Sequence, residues 1–389
     1  MTKKKIVIVG GGYVGFEVAQ KLDAYADVTL IEQREAFVQP HAAIRSLVEP
    51  ALLDQIILPY DNLLEAGKVV RGCAASITQS EVTLDTGTSF QADFIVIATG
   101  SSYAAPFKPS GDSIADFRQT SMKVSAQLAK ASSVAIVGAG AVGTELAGEI
   151  ASAQPGKIIT LISSDDALFP KYPAKLGAQL KAKLERLGVT VVSGQKAQNL
   201  RYMDQPFEGS VTLTDGRVIE ADLVFPVTGS RPQTSLVQNL PGVRLGASGR
   251  VKTDNWLRPS DYPNVFVAGD IADVGDSMTI VATTRQNPWL IKTLKKMLGG
   301  ASVESLKPYS PWKKAPILVP LGPVIGNSWL FATCGDWVTR MIKGKELLIP
   351  KYRKAFGLAN AGEYAGVTEA WHQNASDKSS ANSRQVDES

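Results

Sequence analysis

Short apolar runs recur along the chain, each stopped by glycine or a polar residue and followed by a segment of helical period. Residues 6–9, Ile-Val-Ile-Val, show no polar alternation, so they read as a strand buried on both faces. A helix over 16–22 and a second strand over 28–31 follow, and residues 33–59 are looser. Strands are further expected at 67–75, 94–97, 133–137, 157–162, 189–193, 223–227 and 264–268. Hairpins are expected at 81–84 with 89–92, around Asp85-Thr86-Gly87, and at 210–213 with 217–220, around Thr214-Asp215-Gly216. Helical period marks 120–131, 144–151, 176–187 and 278–297, while 101–116, rich in Ser, Pro and Ala, reads as a domain crossing. Residues 309–345 carry short apolar runs at 317–319 and 326–331 and read as a small, mostly β tail domain. Alternating strands and helices of this kind build parallel sheets covered by helices.

The glycines that stop these runs carry the chemistry. Gly10, Gly12 and Gly15 follow the first strand with G-x-G-x-x-G spacing. The first glycine allows the tight turn, the second lets a pyrophosphate approach the backbone, and the third lets helix and strand pack closely. The helix N-terminus then offers unpaired N–H groups to phosphate. Glu32 ends the second strand, where a carboxylate can hold ribose hydroxyls. The same signal returns at Gly138, Gly140 and Gly143. Two strand ends, Ala98-Thr99-Gly100 and Thr228-Gly229, echo one another as well. The chain therefore reads as an internal duplication that binds two dinucleotides. In the second copy the strand over 157–162 ends in Ser163, which neither holds a 2′-hydroxyl as an acid would nor grips a 2′-phosphate, so use of both NADH and NADPH is expected.

After both copies comes NVFVAGDIAD, in which Asp270 ends a strand beside Gly269. Such an aspartate can bond the ribityl chain of a flavin, and the alternative is an N-cap for the next helix. That helix, starting near Met278, would point its positive end at the isoalloxazine. Val14, Gln33 and Val70 join the first set of candidate cofactor contacts and Val142 the second. Arg45 has two readings, a contact to the pyrophosphate or a surface ion pair.

Composition narrows the classes. At 389 residues the chain suits two or three domains, and a net charge of +4 does not fit a nucleic-acid binder. Cys73 and Cys334 lie far apart in sequence, as do His41 and His372, which excludes a C-x-x-C pair and leaves no metal cluster to expect. The start, Met-Thr-Lys-Lys-Lys, carries neither a signal peptide nor the glycine that N-myristoylation needs, and no apolar stretch is long enough to span a bilayer. A cytoplasmic location is expected. Residues 329–350 are apolar around Trp337 and end in Lys343, Lys345, Lys351, Arg353 and Lys354. They read either as a peripheral contact to a membrane surface or as a helix packed on the body with a solvated basic rim. Polar residues 361–389 read as disordered.

The motifs GGGYVG at 10–15, ATG at 98–100, GAGAVG at 138–143 and VFVAGD at 265–270 resemble the flavoproteins with two dinucleotide-binding domains. IRSLVEP at 44–50, GTELAGEI at 143–150 and KGKELLIP at 343–350 are similar to the branch of apoptosis-inducing factor and the ferroptosis suppressor proteins. The resemblance implies an α/β fold of two Rossmann-like domains plus a small C-terminal α+β domain. The first, at 1–112 and 250–305, would bind FAD. The second, at 113–249, would bind NADH or NADPH, and 306–360 would be the C-terminal domain. It also implies an NAD(P)H:quinone oxidoreductase, with Gly10, Gly12, Gly15, Glu32, Thr99, Gly100 and Asp270 at FAD and Gly138, Gly140, Gly143 and Gly229 at the nicotinamide cofactor. Glu145 would lie near the nicotinamide and flavin, and Lys343 near the active site. Their bland readings are a helix-start acid and a surface charge. A homodimer stays open as a partner state. Two rival activities remain at this stage, a reductase of a small iron–sulfur protein and a slow flavin-bound redox sensor.

Overall fold

The computed structural model describes residues 3–359, so the expected disordered tail lies outside the described residues. The first sheet has five parallel strands in the order Val265–Val267, Phe94–Ile97, Lys5–Val9, Asp27–Glu32 and Lys68–Arg71. Its three inner strands are apolar over most of their length because both faces are covered. Ile6, Ile8, Val28, Leu30 and Val96 enter one core, while Val7, Val9, Ile31, Ile95 and Ile97 enter another on the opposite face.

The second sheet repeats the plan. Val189–Val192, Ile158–Ile162, Ser133–Val137 and Val218–Pro226 run parallel, and Phe207–Leu213 and Ala197–Gln198 extend the sheet antiparallel. Here the expectation of separate strands at 217–220 and 223–227 is corrected. They are one strand, whose first half pairs with the hairpin and whose second half pairs with Ser133–Val137. The expected strand over 67–75 is also two, because it breaks at Gly72 and its second part, Ala74–Ile77, joins the hairpin sheet.

The looser stretch 33–59 holds order that periodicity did not reveal. Ala36–Val38 pairs with Ile57–Pro59, and the helix Pro40–Ser46 lies between them. Proline at its first turn costs the helix nothing, since that N–H would have no partner. The helix expected at 120–131 runs from Ile114 to Lys130, because Ser113 caps it through the Asp116 amide and Ile114 and Phe117 are buried. The helix expected from Met278 begins at Ile280, with Thr279 as its cap.

The tail is a three-stranded antiparallel sheet, Ile317–Pro320, Gly326–Trp329 and Thr333–Cys334, followed by the helix Asp336–Thr339, the π-turn Arg340–Gly344 and the helix Ile349–Ala355. It is neither a continuous amphipathic helix nor a detached module. Val319, Leu321 and Trp329 share a core with Leu146, Ala147 and Ile150 of the helix Ala141–Ala153. Gly148 of that helix permits the approach: a Cβ there would stand 2.4 Å from the Leu321 Cα. Among the described residues no helix is long and apolar enough to cross a membrane.

Gly148→Ala is therefore expected to destabilise the protein by about 1–3 kcal/mol through overpacking. Thermal unfolding checks this, and an unchanged Tm would show that helix and tail do not meet as described.

Candidate functional site

Steric limits around the first glycine loop define the site. A Cβ on Gly10 would stand 2.4 Å from the Ala98 carbonyl oxygen, and one on Gly15 would stand 1.7 Å from that of Gly10. Gly12 faces open space. The second loop repeats this: a Cβ on Gly138 would meet the Val227 oxygen at 2.5 Å, one on Gly143 the Gly138 oxygen at 1.9 Å, and Gly140 is open. In each loop two glycines close the strand–turn–helix packing and the middle one leaves room for a ligand, so both cradles fit a pyrophosphate.

Above the first loop lies a cavity of about 730 Å³. Gly10, Gly12 and Val14 line it, as do Glu32, Gln33, Ala98, Thr99, Gly100, Asp270 and Met278. The second unit contributes Val142 and Glu145, and the tail contributes Ile317, Leu318 and Lys343. Glu32 accepts the Gly11 amide at 2.7 Å, so its carboxylate sits at the loop. The Asp270 carboxylate accepts from the Ser101 hydroxyl at 2.5 Å and the Lys108 ammonium at 3.3 Å. Thr279, not Asp270, caps the following helix, so the N-cap reading of Asp270 is set aside. Gly138, Gly140, Gly143, Gly229 and Ser163 do not line this cavity. Gly138, Gly229 and Ser163 follow strands of the second sheet, while Gly140 and Gly143 lie at the start of the helix Ala141–Ala153; Ser163 is buried and accepts the Asp165 amide at 3.2 Å.

Two expected contacts are corrected. Val70 lies inside its strand, packed against the core, and Gly72, Cys73 and Ala74 reach the cavity instead. Arg45 does not line the cavity, and the ion pair it forms is buried. It is 5% exposed, and its guanidinium donates to Glu149 at 2.8–3.1 Å and to the carbonyls of Gly344 and Lys345 at 2.7 and 3.2 Å. One turn along the same helix, Glu145 accepts from Lys343 at 2.5 Å. Burial raises the Glu145 pKa from its ordinary value, and the Lys343 charge opposes that shift. Lys343 is thus no freely solvated surface charge.

Sequence reading missed Tyr13, His41, Tyr60, Ser101 and Lys108. Tyr60 donates to the Gly11 carbonyl at 2.8 Å. The Leu347 carbonyl lies 2.6 Å from His41 Nε2 and can only accept, so Nε2 carries the proton and Nδ1 accepts from the Tyr13 hydroxyl at 2.6 Å. The available signal was Tyr13 inside the glycine motif, with Ser101 directly after Ala98-Thr99-Gly100.

A family model described as pyridine nucleotide-disulphide oxidoreductase matches residues 58–287, and a second of the same description matches residues 5–55. The chain belongs to that family. It is an FAD- and NAD(P)-dependent oxidoreductase of α/β, Rossmann-like architecture. Within the family it is 30% identical over 380 residues to apoptosis-inducing factor homolog B of Dictyostelium discoideum, covering 90% of this chain and 96% of that one. It is 27% identical over 371 residues to ferroptosis suppressor protein 1 of Xenopus tropicalis, covering 91% and 96%. The reduced CoADR-RHD structure of Bacillus anthracis superposes with a TM-score of 0.64 at 17% identity, over 84% of this chain and 62% of that one. The two cysteines of this family member are free thiols, and only Cys73 lines the cavity.

Burial pushes the His41 imidazole down to about 3, and the charges of Lys343 and Lys351 add to the shift. In the unfolded chain the ring titrates near 6.5. Between those values the unfolded state holds the extra proton, so stability falls as pH drops from about 6.5 toward 3. Wild type should therefore lose Tm faster than His41→Gln on acidification, and parallel curves would show that His41 is not held neutral.

Proposed function

We propose that the protein is an NAD(P)H:quinone oxidoreductase. The observation that carries this reading is the Glu145–Lys343 pair, which joins the second unit to the tail at a cavity wall that also bears Phe37, Ile317 and Leu318. An apolar wall with one ion pair suits a flat, uncharged ring that carries two carbonyls. FAD would be held along the first glycine loop by Gly10, Gly12, Glu32 and Asp270 and would supply the hydride acceptor. The chain's own residues orient and neutralise. Asp270, held by Ser101 and Lys108, offers a fixed carboxylate to a hydroxylated chain. Lys343 places a cation where negative charge accumulates after reduction. A quinone takes up two electrons and two protons on becoming a quinol, and a hydride supplies one of those protons. On this wall Glu145 and Lys343 are groups able to hold the other, at a carboxyl oxygen or at the ammonium.

Ser163 supports use of both NADH and NADPH, since neither acid nor arginine stands at that position. The tail supports a peripheral membrane contact. Trp337, Met341 and Ile342 are 75%, 64% and 43% exposed, in the segment that carries Lys343. Approach from a bilayer would bring a lipid-tailed quinone to the cavity.

Stopped-flow absorbance tests the reaction. Oxidised flavin should bleach with NADH or NADPH and recover with a short-chain ubiquinone, with parallel initial-rate lines against the two substrates. Glu145→Gln and Lys343→Ala should each slow turnover on the order of a hundredfold. Bleaching without recovery would move the acceptor away from quinones. Trp337→Asp should weaken binding to anionic vesicles and slow a long-tailed quinone while sparing a short-chain one. Equal vesicle binding would remove the membrane contact.

A further inference from the structure

Two acidic side chains on successive turns of the helix Ala141–Ala153, Glu145 and Glu149, are each 3% exposed. Residues spaced this way share a helix face, and each buried charge needs a cation. Lys343 serves Glu145 and Arg45 serves Glu149. Arg45 does more than neutralise. The guanidinium fork that holds Glu149 also holds the carbonyls of Gly344 and Lys345, the two residues directly after Lys343. Leu347, two residues on, is gripped in the same way, its carbonyl accepting from Gln39 Nε2 at 3.1 Å and His41 Nε2 at 2.6 Å. The gripped segment closes the π-turn Arg340–Gly344 and enters two consecutive left-handed residues, Leu347 and Leu348. Backbone of this kind persists only where its surroundings hold it.

We infer that Arg45 is a positioning residue that acts through Lys343: it occupies Glu149, leaving Glu145 as the partner of Lys343, and anchors the backbone from which Lys343 reaches the cavity. This inference rests on the proposed role of the Glu145–Lys343 pair in reduction. A planar fork that binds one carboxylate and two carbonyls together has no equivalent in lysine. Arg45→Lys therefore keeps the charge and loses the anchoring.

The test is a double-mutant cycle on the FAD-loaded protein with Arg45→Lys, Lys343→Ala and the pair. Two readings are taken: the single-turnover rate of short-chain ubiquinone reduction by the NADH-reduced protein, and amide hydrogen exchange over residues 340–349. Arg45→Lys should slow reduction on the order of tenfold in wild type and leave the Lys343→Ala rate within about twofold. It should also speed exchange over 340–349 while leaving residues 5–22 unchanged. Equal slowing in both backgrounds would overturn the inference and reduce Arg45 to a structural pair, as would unchanged exchange over 340–349. A Lys343→Ala rate equal to wild type would overturn both this inference and the role proposed for the Glu145–Lys343 pair. If Arg45→Lys does not fold, Glu149→Gln goes through the same cycle, with the same outcomes deciding.

Discussion

Two carboxylates buried on successive turns of one helix are the constraint on which this molecule turns. Neither Glu145 nor Glu149 finds its cation within its own unit. Glu149 takes Arg45 from the helix Pro40–Ser46, and Glu145 takes Lys343 from the tail. An uncompensated buried charge costs several kcal/mol, so the helix Ala141–Ala153 favours the arrangement in which first unit, second unit and tail meet at one place. The same requirement puts an ammonium and a carboxyl of raised pKa on the wall of the main cavity. The Glu145–Lys343 pair that joins the second unit to the tail therefore also builds a wall of the site.

Glycine works alongside charge. Contacts of 1.7–2.5 Å to an added Cβ at Gly10, Gly15, Gly138 and Gly143 show that helix and strand approach too closely for any other residue. Gly148 does the same where the tail strand crosses the helix between the two glutamates. Hydrophobic burial provides the driving force and these glycines set the distances, so the charged pairs meet at hydrogen-bond length.

The tail differs from the two sheets in how its shape is specified. Its first two strands share a core with the second unit, and its final turn holds two consecutive left-handed leucines. Such a turn is costly by itself. Gln39, His41 and Arg45 hold its carbonyls in place. Its outer side leaves Trp337 and Met341 in solvent, which separates an inner polar face from an outer apolar one.

The sequence by itself determined the repeated strand–glycine–helix units, the buried parallel strands and Asp270 at the end of the last of them. These features depend on neighbours within a few residues: apolar runs, permissive glycines and the acid that closes a strand. Resemblance, not pattern, singled out Glu145 and Lys343, and both line the cavity. Tertiary structure alone decided the partner of Arg45, the Tyr13–His41–Leu347 chain, the Ser101–Lys108 hold on Asp270 and the replacement of Val70 by residues 72–74 at the cavity. Each of those depends on groups brought together from distant parts of the chain, with separations of 104 residues for Arg45 and Glu149 and 306 for His41 and Leu347. Local period carries no record of such pairings, because a buried cation and an exposed one look alike until the element that covers them is in place.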